Sequence, residues 1–290
     1  MNFKELDVRQ LDKNLSTEQQ KEWNSIYASY RSQSFLTGKV AGIDEVSVKV
    51  WDPEIQKNKL ITCECLIIVD YRVKVLIPES EIWAEEEVRP SHVLHSMIGA
   101  TVDYVITQID RVGEVCVASR RIALAIKRWS FTRLIPRIGS KIEANVIAVG
   151  KNKLLASTNG YDVSLSQRDL SYGMIIDLRD RYHAGDVYSA ILKSWDKEND
   201  TIEISIKEAE PHPFIDADKR HPISSRRASQ IVGKYKGGVF CTLEDNLVCM
   251  CTYSHYQSDE DFNIGDNVIV VITKYNYEKM QVYGKIVAKW

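Results

Sequence analysis

The sequence predicts an all-β chain of three tandem five-stranded barrels, preceded by a short N-terminal α-helix. Three observations support this prediction: one repeat that recurs three times, short β-rich runs separated by turn residues, and a single amphipathic segment near the N-terminus. A chain of 290 residues is long enough for two or three domains of ordinary size.

The repeat is clearest in three twelve-residue segments that align without a gap. They are GATVDYVITQID from Gly99, GDVYSAILKSWD from Gly185 and GDNVIVVITKYN from Gly265. Each begins with Gly, continues as an alternating β-rich run, and ends in Asp or Asn. A short polar turn and a second β-rich run follow every copy, so each repeat is predicted to end in a β-hairpin.

Matching strands also lie upstream of each hairpin. In every repeat a strand opening is followed by an apolar strand that runs into a Ser-containing polar segment. The apolar strands with their polar segments are VLIPESEI (Val75–Ile82), VSLSQRDL (Val163–Leu170) and VCMCTYSHY (Val248–Tyr256). Each unit therefore contains about five short strands, which is typical of a small barrel of the OB-fold type.

These units set the expected boundaries. We expect an N-terminal helical segment over residues 1–34 and a first barrel, with an insertion and a basic linker, over 35–135. The second barrel is expected over 136–212, a basic linker that contains proline over 213–228, and the third barrel over 229–290.

The N-terminal helix is predicted from the segment STEQQKEWNSIYASYRSQ. Ser16 can cap the helix, and Gln19 stands in the capping-box position. One helical face carries an aromatic and aliphatic stripe, which we expect to pack on the neighbouring barrel. The stripe consists of Trp23, Ile26, Tyr27 and Tyr30.

Composition indicates a folded globular chain, with 27% charged residues, 44% hydrophobic residues and a formal net charge of −2. No apolar run approaches the length of a membrane-spanning helix, and the N-terminus lacks the apolar core of a signal peptide. We therefore expect a cytoplasmic protein. Two C-x-C pairs, Cys63/Cys65 and Cys249/Cys251, lack the usual spacing of zinc ligands and are predicted to pack as small apolar side chains.

Basic residues are concentrated in two windows without acids. Residues 115–141 contain seven Lys or Arg, and residues 219–236 contain six. The acids cluster elsewhere, around Glu79–Glu87 and Ser258–Phe262. Such windows favour binding to a polyanion, and the alternative interpretation is that they are solvated faces and linkers.

The stretch GKYKGGVF, from Gly233 to Phe240, raises the question of a phosphate-binding loop. A Walker loop requires G-x-x-x-x-G-K-[ST] followed by a helix. Here Tyr235 follows Lys234 and the next residues are strand-like. The glycines are therefore interpreted as a tight bend between two strands.

Three features of the last unit together resemble the S-one RNA-binding domain, an OB-fold module. They are GGVF, the Leu-containing strand after it, and GDNVIVVITKYN…GKIV. Three copies over Phe35–Trp290 resemble a short relative of the ribosomal protein for which that module is named. The resemblance implies that single-stranded RNA binds on one barrel face, through stacked aromatic rings and surrounding cations. Phe240 stands where the family places a stacking aromatic ring. Further aromatic candidates are Tyr235, Tyr253, His255 and Tyr161, for which burial in a core or packing between units is the alternative to stacking. The basic candidates on the barrels are Lys234, Lys236, Lys274, Arg168 and Lys193, for which a plain surface charge is the alternative.

The two basic linkers are further candidates for one RNA track, because arginine binds phosphate bidentately and stacks on bases. The alternative is that these cations dock neighbouring barrels on one another. The linker candidates are Arg120, Arg121, Lys127, Arg128, Arg220, Arg226 and Arg227.

The chain departs from the family pattern at two positions in every unit and at a third position in the last unit. The His usual in the third strand is replaced by Pro78, Ser164 and Cys251. The acid closing the fourth strand is kept as Asp110 and Asp196 but is Asn276 in the third unit. The Arg expected after the turn has no counterpart, since the nearest residues are Glu114, Asp200 and Met280 or Gln281.

No catalytic or metal motif supports an enzyme, since His92 and His95 lack a carboxylate partner at metal spacing and no G-x-S-x-G occurs. The sequence therefore predicts a non-catalytic RNA-binding protein without cofactor, acting in translation or transcription. Expected partners are single-stranded RNA and either the small ribosomal subunit or RNA polymerase. The alternatives are a protein-binding scaffold of such a complex, and a binder of single-stranded DNA.

Overall fold

The computed structural model describes residues 15–52, 57–69, 72–84, 89–254 and 256–289. The fold consists of three five-stranded β units in series, with a helix before the first unit and another between the first and the second. The coarse prediction of a mostly β chain with barrel-like sheets is therefore confirmed.

The first unit is a closed barrel with strand order β1-β2-β3-β5-β4, in which β3 and β5 are parallel. Its elements, with the helix that precedes it, are α1 (Thr17–Ser32), β1 (Leu36–Asp52), β2 (Lys57–Ile68), β3 (Lys74–Pro78), α2 (Ser91–His95), β4 (Thr101–Asp110) and β5 (Val115–Ser119).

Helix α1 begins at the predicted capping box, in which Ser16 and Gln19 cap each other's backbone N–H groups. Trp23 and Ile26 are buried in the same hydrophobic cluster as the interior of the first barrel. Tyr27 packs against that cluster, but Tyr30 at the end of the stripe is 46% exposed. The predicted packing of α1 on a barrel is therefore confirmed for most of the stripe.

The second unit has the same strand order but is a five-stranded sheet, β10-β9-β6-β7-β8, and not a closed barrel. Its elements are β6 (Lys141–Val149), β7 (Lys153–Thr158), β8 (Tyr161–Ser166), α4 (Gln167–Leu170), β9 (Val187–Asp196) and β10 (Thr201–Ser205). The sheet of this unit is open between β8 and β10, with α4 directly after β8, so a closed barrel is not confirmed for the second unit. The backbone oxygen of Asp169 in α4 accepts the Ile206 N–H, at 2.9 Å, beside the end of β10.

The third unit is again a closed barrel, with order β11-β12-β13-β15-β14 and β13 parallel to β15. Its elements are α5 (Ala217–Arg220), β11 (Arg226–Tyr235), β12 (Gly238–Leu243), β13 (Val248–Thr252), β14 (Asn267–Asn276) and β15 (Gln281–Lys289).

The basic segment between the first two units is a helix, α3 (Arg120–Arg133), rather than the linker that the sequence suggested. Ser119 caps it by accepting the Ile122 N–H. Ala123 and Leu124 are buried. The buried residues Arg120, Ala123 and Leu124 recur at i, i+3 and i+4, which is the spacing of one helical face.

The segment before the third barrel is docked on that barrel. Phe214 and Ala217 are buried in the barrel's hydrophobic cluster. The Tyr275 hydroxyl donates to the backbone oxygens of Ala217, at 3.0 Å, and His221, at 2.6 Å. These contacts immobilise the segment more than its prolines alone would.

Both C-x-C pairs contribute apolar packing, as predicted. Cys65, Cys249 and Cys251 are buried, Cys63 is half-buried, and all four are free thiols. Burial raises the pKa of the Cys65 thiol to about 12. Among the described residues, no helix has both the length and the apolar character needed to cross a membrane.

Candidate nucleic-acid interface

A row of half-buried side chains crosses the outer face of the third barrel. Phe240 in β12 lies opposite Met250 in β13, Met250 lies beside Tyr283 in β15, and Tyr283 lies opposite Lys274 in β14. Gly233 in β11 lies opposite Phe240 at the other end of the row. Side chains alternate between the two faces of a strand, so the four side chains of this row point away from the core.

The inward positions between them confirm that orientation. Cys249, Cys251, Val282 and Ile272 are fully buried, whereas Phe240, Met250 and Tyr283 are only half-buried. A second outward row runs beside the first, through Thr252, Lys285, Val271 and Arg226. We call these two rows the β12–β15 face.

None of the five strands of the third barrel contains an Asp or Glu residue. They contain instead six cations: Arg226, Arg227, Lys234, Lys274, Lys285 and Lys289. Strands of the other two units carry acids, for example Glu64 in β2 and Glu203 in β10. The acids of the third unit all lie in its connections, so its barrel face repels polyanions far less than its overall composition suggests.

Phe240 is accompanied by a second ring. The ring centroids of Tyr235 and Phe240 are 5.0 Å apart with planes tilted by 48°. The Tyr235 hydroxyl donates to the backbone oxygen of Cys251 at 3.2 Å, and burial raises its pKa. Tyr235 therefore packs against Phe240, whose side chain remains half-buried.

The cations of this face have no acidic partner. Lys274, Lys285 and Arg226 on the face, and Lys236 in the β11–β12 turn, form no ion pair within the part of the chain that the structure describes. Their charges are available to phosphate without breaking an existing contact.

Lys234 and Tyr253 lie together on a different part of the barrel. Lys234 Nζ is 3.3 Å from Asp259 Oδ2, and the Tyr253 hydroxyl donates to the other Asp259 oxygen. Tyr253 stacks on Phe262 at 5.6 Å and 11°. Burial, together with this hydrogen bond, raises the pKa of Tyr253. These residues form one acid-linked cluster, and their predicted neighbour His255 lies outside the described residues.

Register shifts in the first two strands identify the equivalent positions in each unit. In the first strand of each unit, the pairing register with the second strand shifts by one residue. The first paired residue after the shift is Gly42, Ala148 or Gly233 in the three units in turn, and its partner is Ile67, Leu155 or Phe240. Ile67 is buried in an aliphatic cluster on the first barrel. Leu155 belongs to the hydrophobic cluster of the first unit. Only in the third unit is this position a partly accessible aromatic ring.

The same strand register also corrects which residues replace the family's third-strand His. The partners of Ile67, Leu155 and Phe240 in that strand are Leu76, Ser164 and Met250. Ser164 is the residue that the sequence suggested. Pro78 in the first unit and Cys251 in the third were the wrong choices, since Leu76 and Met250 hold the equivalent positions.

The cations of α3 are paired with acids on both flanking units. Arg120 is buried against Asp162, Arg121 lies 2.7 Å from Glu81, and Arg128 lies 2.9 Å from Asp200. Lys127 pairs with Asp103. The structure therefore uses this basic window to hold the first two units together, which was the alternative interpretation of the sequence.

Tyr161 is also enclosed by these contacts. It is 3% exposed, its hydroxyl donates to Asp200 at 2.7 Å, and the Arg128 guanidinium lies 4.5 Å from its ring centroid. Burial and the Asp200 hydrogen bond raise the pKa of Tyr161 to about 12. Arg120 and Tyr161 are therefore removed from the candidate surface, because neither is accessible to a strand of nucleic acid.

The remaining candidates are dispersed. Lys193 pairs with Glu208 at 2.9 Å, Arg220 pairs with Asp245 at 3.1 Å, and Arg227 donates to the Arg220 backbone oxygen at 2.7 Å. Arg168 is exposed and forms no ion pair in the described ranges.

Five residues of the face were missed from the sequence: Met250, Thr252, Val271, Tyr283 and Lys285. The signal that locates all but Val271 is the strict alternation of VCMCT and QVYGK, in which one set of positions is small or aliphatic. Alternation assigns residues to one face, but the pairing of β13 with β15 is needed to place them beside Phe240.

No group of three or more His, Cys, Asp or Glu side chains in the described residues is placed to hold a metal ion.

No family model matches the chain. It is 25% identical over 224 residues to a 4-hydroxy-3-methylbut-2-enyl diphosphate reductase of Clostridium tetani, a match that covers 72% of this chain and 34% of that protein. It is 24% identical over 216 residues to the small ribosomal subunit protein bS1 of Chlamydia trachomatis, which covers 71% of this chain and 37% of the relative. The chain thus spans about a third of the length of the curated relatives that it matches.

Two solved structures are also similar. One is a multidomain protein with nucleic acid binding domains from Streptococcus pneumoniae, 11% identical, covering 88% of this chain and 73% of that one, with a TM-score of 0.23. The other is a complex of a/eIF2alpha, aDim2p and rRNA from Pyrococcus horikoshii, 15% identical, covering 30% and 52%, with a TM-score of 0.24. Scores this low carry no argument about the present chain.

Proposed function

We propose that this chain is a non-catalytic protein that binds single-stranded RNA on the β12–β15 face of its third barrel. The observation that carries the proposal is the accessible ring of Phe240, in one row with Met250, Tyr283 and Lys274, on a barrel whose strands contain no acid. Stacking holds a base with little sequence preference, and the cations neutralise the backbone.

The proposal assigns binding to one unit and a supporting role to the other two. Phe240's counterparts in those units are the buried aliphatic residues Ile67 and Leu155. Four of the α3 cations, Arg120, Arg121, Lys127 and Arg128, are already paired with acids of the flanking units. A strand would have to displace these ion pairs in order to use the helix, whereas the third barrel needs no such exchange.

The distant similarity to a small ribosomal subunit protein supports a role in translation, within the third of that relative's length that the chain matches. The same chain is distantly similar to a reductase, again over about a third of that protein's length. A module shared by proteins of such different names is more readily a binding unit than a catalytic one.

The decisive experiment is fluorescence anisotropy of the purified protein with a labelled oligonucleotide of about 12 nucleotides, within the site sizes of OB folds. Single-stranded RNA, its DNA equivalent and an RNA duplex are compared at two salt concentrations. We expect single-stranded RNA to bind best and its affinity to fall with salt. In a plot of the logarithm of the affinity against the logarithm of the salt concentration, each phosphate contact should steepen the slope by about 0.7.

Equal affinity for the DNA equivalent would show that the 2′-hydroxyl is not read and would reassign the site to single strands in general. No binding at low salt would contradict the proposal. That result would favour the alternative of a protein-binding scaffold.

A further inference from the structure

A notch of about 320 Å³ opens between the second unit and the third barrel. Its walls come from the segment after α4, from the docked segment before α5, and from the β12–β13 connection. The notch is in the size range of small-ligand sites, and unlike the interior of either unit it contains several polar groups.

Two aromatic rings form its floor. The ring centroids of Tyr172 and His212 are 4.3 Å apart with planes tilted by 56°. Both side chains are half-buried. Lys207 Nζ lies 5.4 Å from the Tyr172 ring centroid.

His212 presents a hydrogen-bond donor to the notch. Its Nδ1 accepts the Phe214 N–H at 3.1 Å, so the proton of the neutral ring is carried by Nε2. Burial and the nearby Lys207 lower the pKa of His212, which keeps the ring neutral at physiological pH. Within the described part of the chain, the Nε2–H group has no acceptor.

Other donors around the notch also lack acidic partners. The Tyr172 hydroxyl and Lys207 Nζ form no hydrogen bond or ion pair with any described residue, and Arg181 is bonded only to the neutral amide of Asn246, at 3.0 Å. The acids at the rim are Glu210, Asp216 and Asp245. Asp216 is paired with Lys219 and Asp245 with Arg220, so Glu210 is the acid that opposes these donors.

The notch is connected to the β12–β15 face by three consecutive residues, Tyr172–Met174. Gly173 is pressed against the backbone of Asn246, since a Cβ there would lie 3.1 Å from the Asn246 oxygen. A Cβ on Gly233, opposite Phe240, would lie 3.4 Å from Met174 Sδ. Two residue steps span at most about 7 Å, so the notch and the face are close enough for one strand to reach both.

We propose that this notch binds a phosphate-bearing nucleotide of the same strand that the β12–β15 face holds. The base packs against the Tyr172 and His212 rings, and the phosphate accepts from His212 Nε2–H, Lys207 and Arg181. The inference rests on the proposed function and extends it from one barrel face to a second subsite.

The test uses the full chain, a short RNA of about 4 nucleotides and a longer one of about 12, because OB-fold sites span that range. Lys207→Met keeps the aliphatic stem over Tyr172 and removes the charge. His212→Asn supplies an amide oxygen that can still accept the Phe214 N–H. The matched control is Lys197→Met, since Lys197 similarly lies over a ring, 4.7 Å from the Trp195 centroid, but in the β9–β10 hairpin.

We expect Lys207→Met and His212→Asn each to weaken binding of the longer RNA by about 5- to 10-fold and to leave the short RNA unchanged. Lys207→Met should also reduce the salt slope by about 0.7. Lys197→Met should change neither the affinity for the longer RNA nor the salt slope. The His212 imidazole NMR signal should move with the longer RNA.

If wild type binds the longer RNA but Lys207→Met behaves like Lys197→Met, the second subsite is refuted and the proposed function stands. If neither RNA binds to wild type, the proposed function itself fails and the subsite fails with it. A His212 signal that responds to a mononucleotide, with longer-RNA affinity unchanged in both variants, would overturn the shared-strand proposal and assign the notch to free nucleotides.

Discussion

Arg120 and Asp162 form a bidentate ion pair inside the protein, with both N–O distances 2.7 Å and both side chains 1% exposed. Arg120 also donates to the Ile82 backbone oxygen of the first unit at 3.0 Å. The pair therefore joins the start of α3 to β8 and to the first barrel at once. Burial alone would raise the pKa of Asp162, but the charge and hydrogen bonds of Arg120 outweigh it and lower the pKa.

Arg120→Met should lower the free energy of unfolding by about 3–5 kcal/mol, because Asp162 is left as an unpaired buried charge. The neighbouring Arg121→Met is the control, since Arg121 is 34% exposed and its pair with Glu81 is worth no more than about 1 kcal/mol. Urea unfolding measures both. Equal effects of the two substitutions would contradict the structural role assigned to Arg120.

The lowered pKa of Asp162 predicts an acid-sensitive contribution to stability. As pH falls, the unfolded state takes up the proton near the ordinary value of 3.8, while the folded state resists it. The contribution is therefore complete above about pH 4 and is lost as pH falls below that value. Asp162→Asn should flatten the acid limb of a plot of urea midpoint against pH, and an unchanged limb would refute this account.

Gly160 is a point at which the backbone of α3 packs closely on the second unit. Its φ is +89°, and a Cβ there would lie 2.4 Å from the Leu124 oxygen and 2.5 Å from the Arg128 nitrogen. Gly237 has a similar φ, +98°, with nothing within 4 Å of its Cβ position. Gly237→Ala should cost about 1–2 kcal/mol from backbone strain. Gly160→Ala should cost about 2–5 kcal/mol, because overpacking is added. Thermal or urea unfolding separates the two, and equal losses would show that α3 does not pack on Gly160.

Phe240→Ala and Tyr283→Ala should each weaken binding of single-stranded RNA by about 5-fold or more, since a stacked base contributes about 1–3 kcal/mol. Trp129→Ala is the matched control. Trp129 is 62% exposed on α3, away from the third barrel. Anisotropy titrations and an unfolding curve are needed for each variant. A loss of affinity that is as large for Trp129→Ala would move the interface to the helix.

The acid-free character of the β12–β15 face predicts that a single carboxylate there is harmful. Thr252 is exposed, lies in β13 and stands beside Lys285 in β15. Thr252→Glu should weaken RNA binding by about 10-fold at low salt, because it repels phosphate and pairs with Lys285. Thr252→Gln has nearly the same shape without the charge and should bind as wild type does. Equal affinities of the two variants would show that the face is not in contact with a polyanion.

Much of the fold could be predicted from the residues because its signals are local. The three Gly-led segments and the alternation of the strands predicted the repeated five-stranded units, and the capping box at Ser16 predicted the start of α1. Alternation also placed Cys249 and Cys251 inside the third barrel. Such patterns depend on neighbours within a few positions, so they can be read along one chain.

Local patterns could not decide the role of the basic segment at α3. Its seven cations without an acid are compatible with a polyanion track and with an element that docks the neighbouring units. The acids that neutralise Arg120, Arg121 and Arg128 are Asp162, Glu81 and Asp200, which lie roughly 40 to 70 residues away in the sequence. Long-range pairing of this kind depends on how the units pack, and no local composition reveals it.

The sequence by itself therefore determined the repeat, the strand-rich units, the N-terminal helix and the aromatic residue Phe240. The tertiary structure decided which side chains stand beside that ring, which unit keeps its face accessible, and that the notch at Tyr172 and His212 adjoins it. The physical reason is that alternation specifies the face of a single strand, whereas a binding surface is made by register between strands and by contact between units.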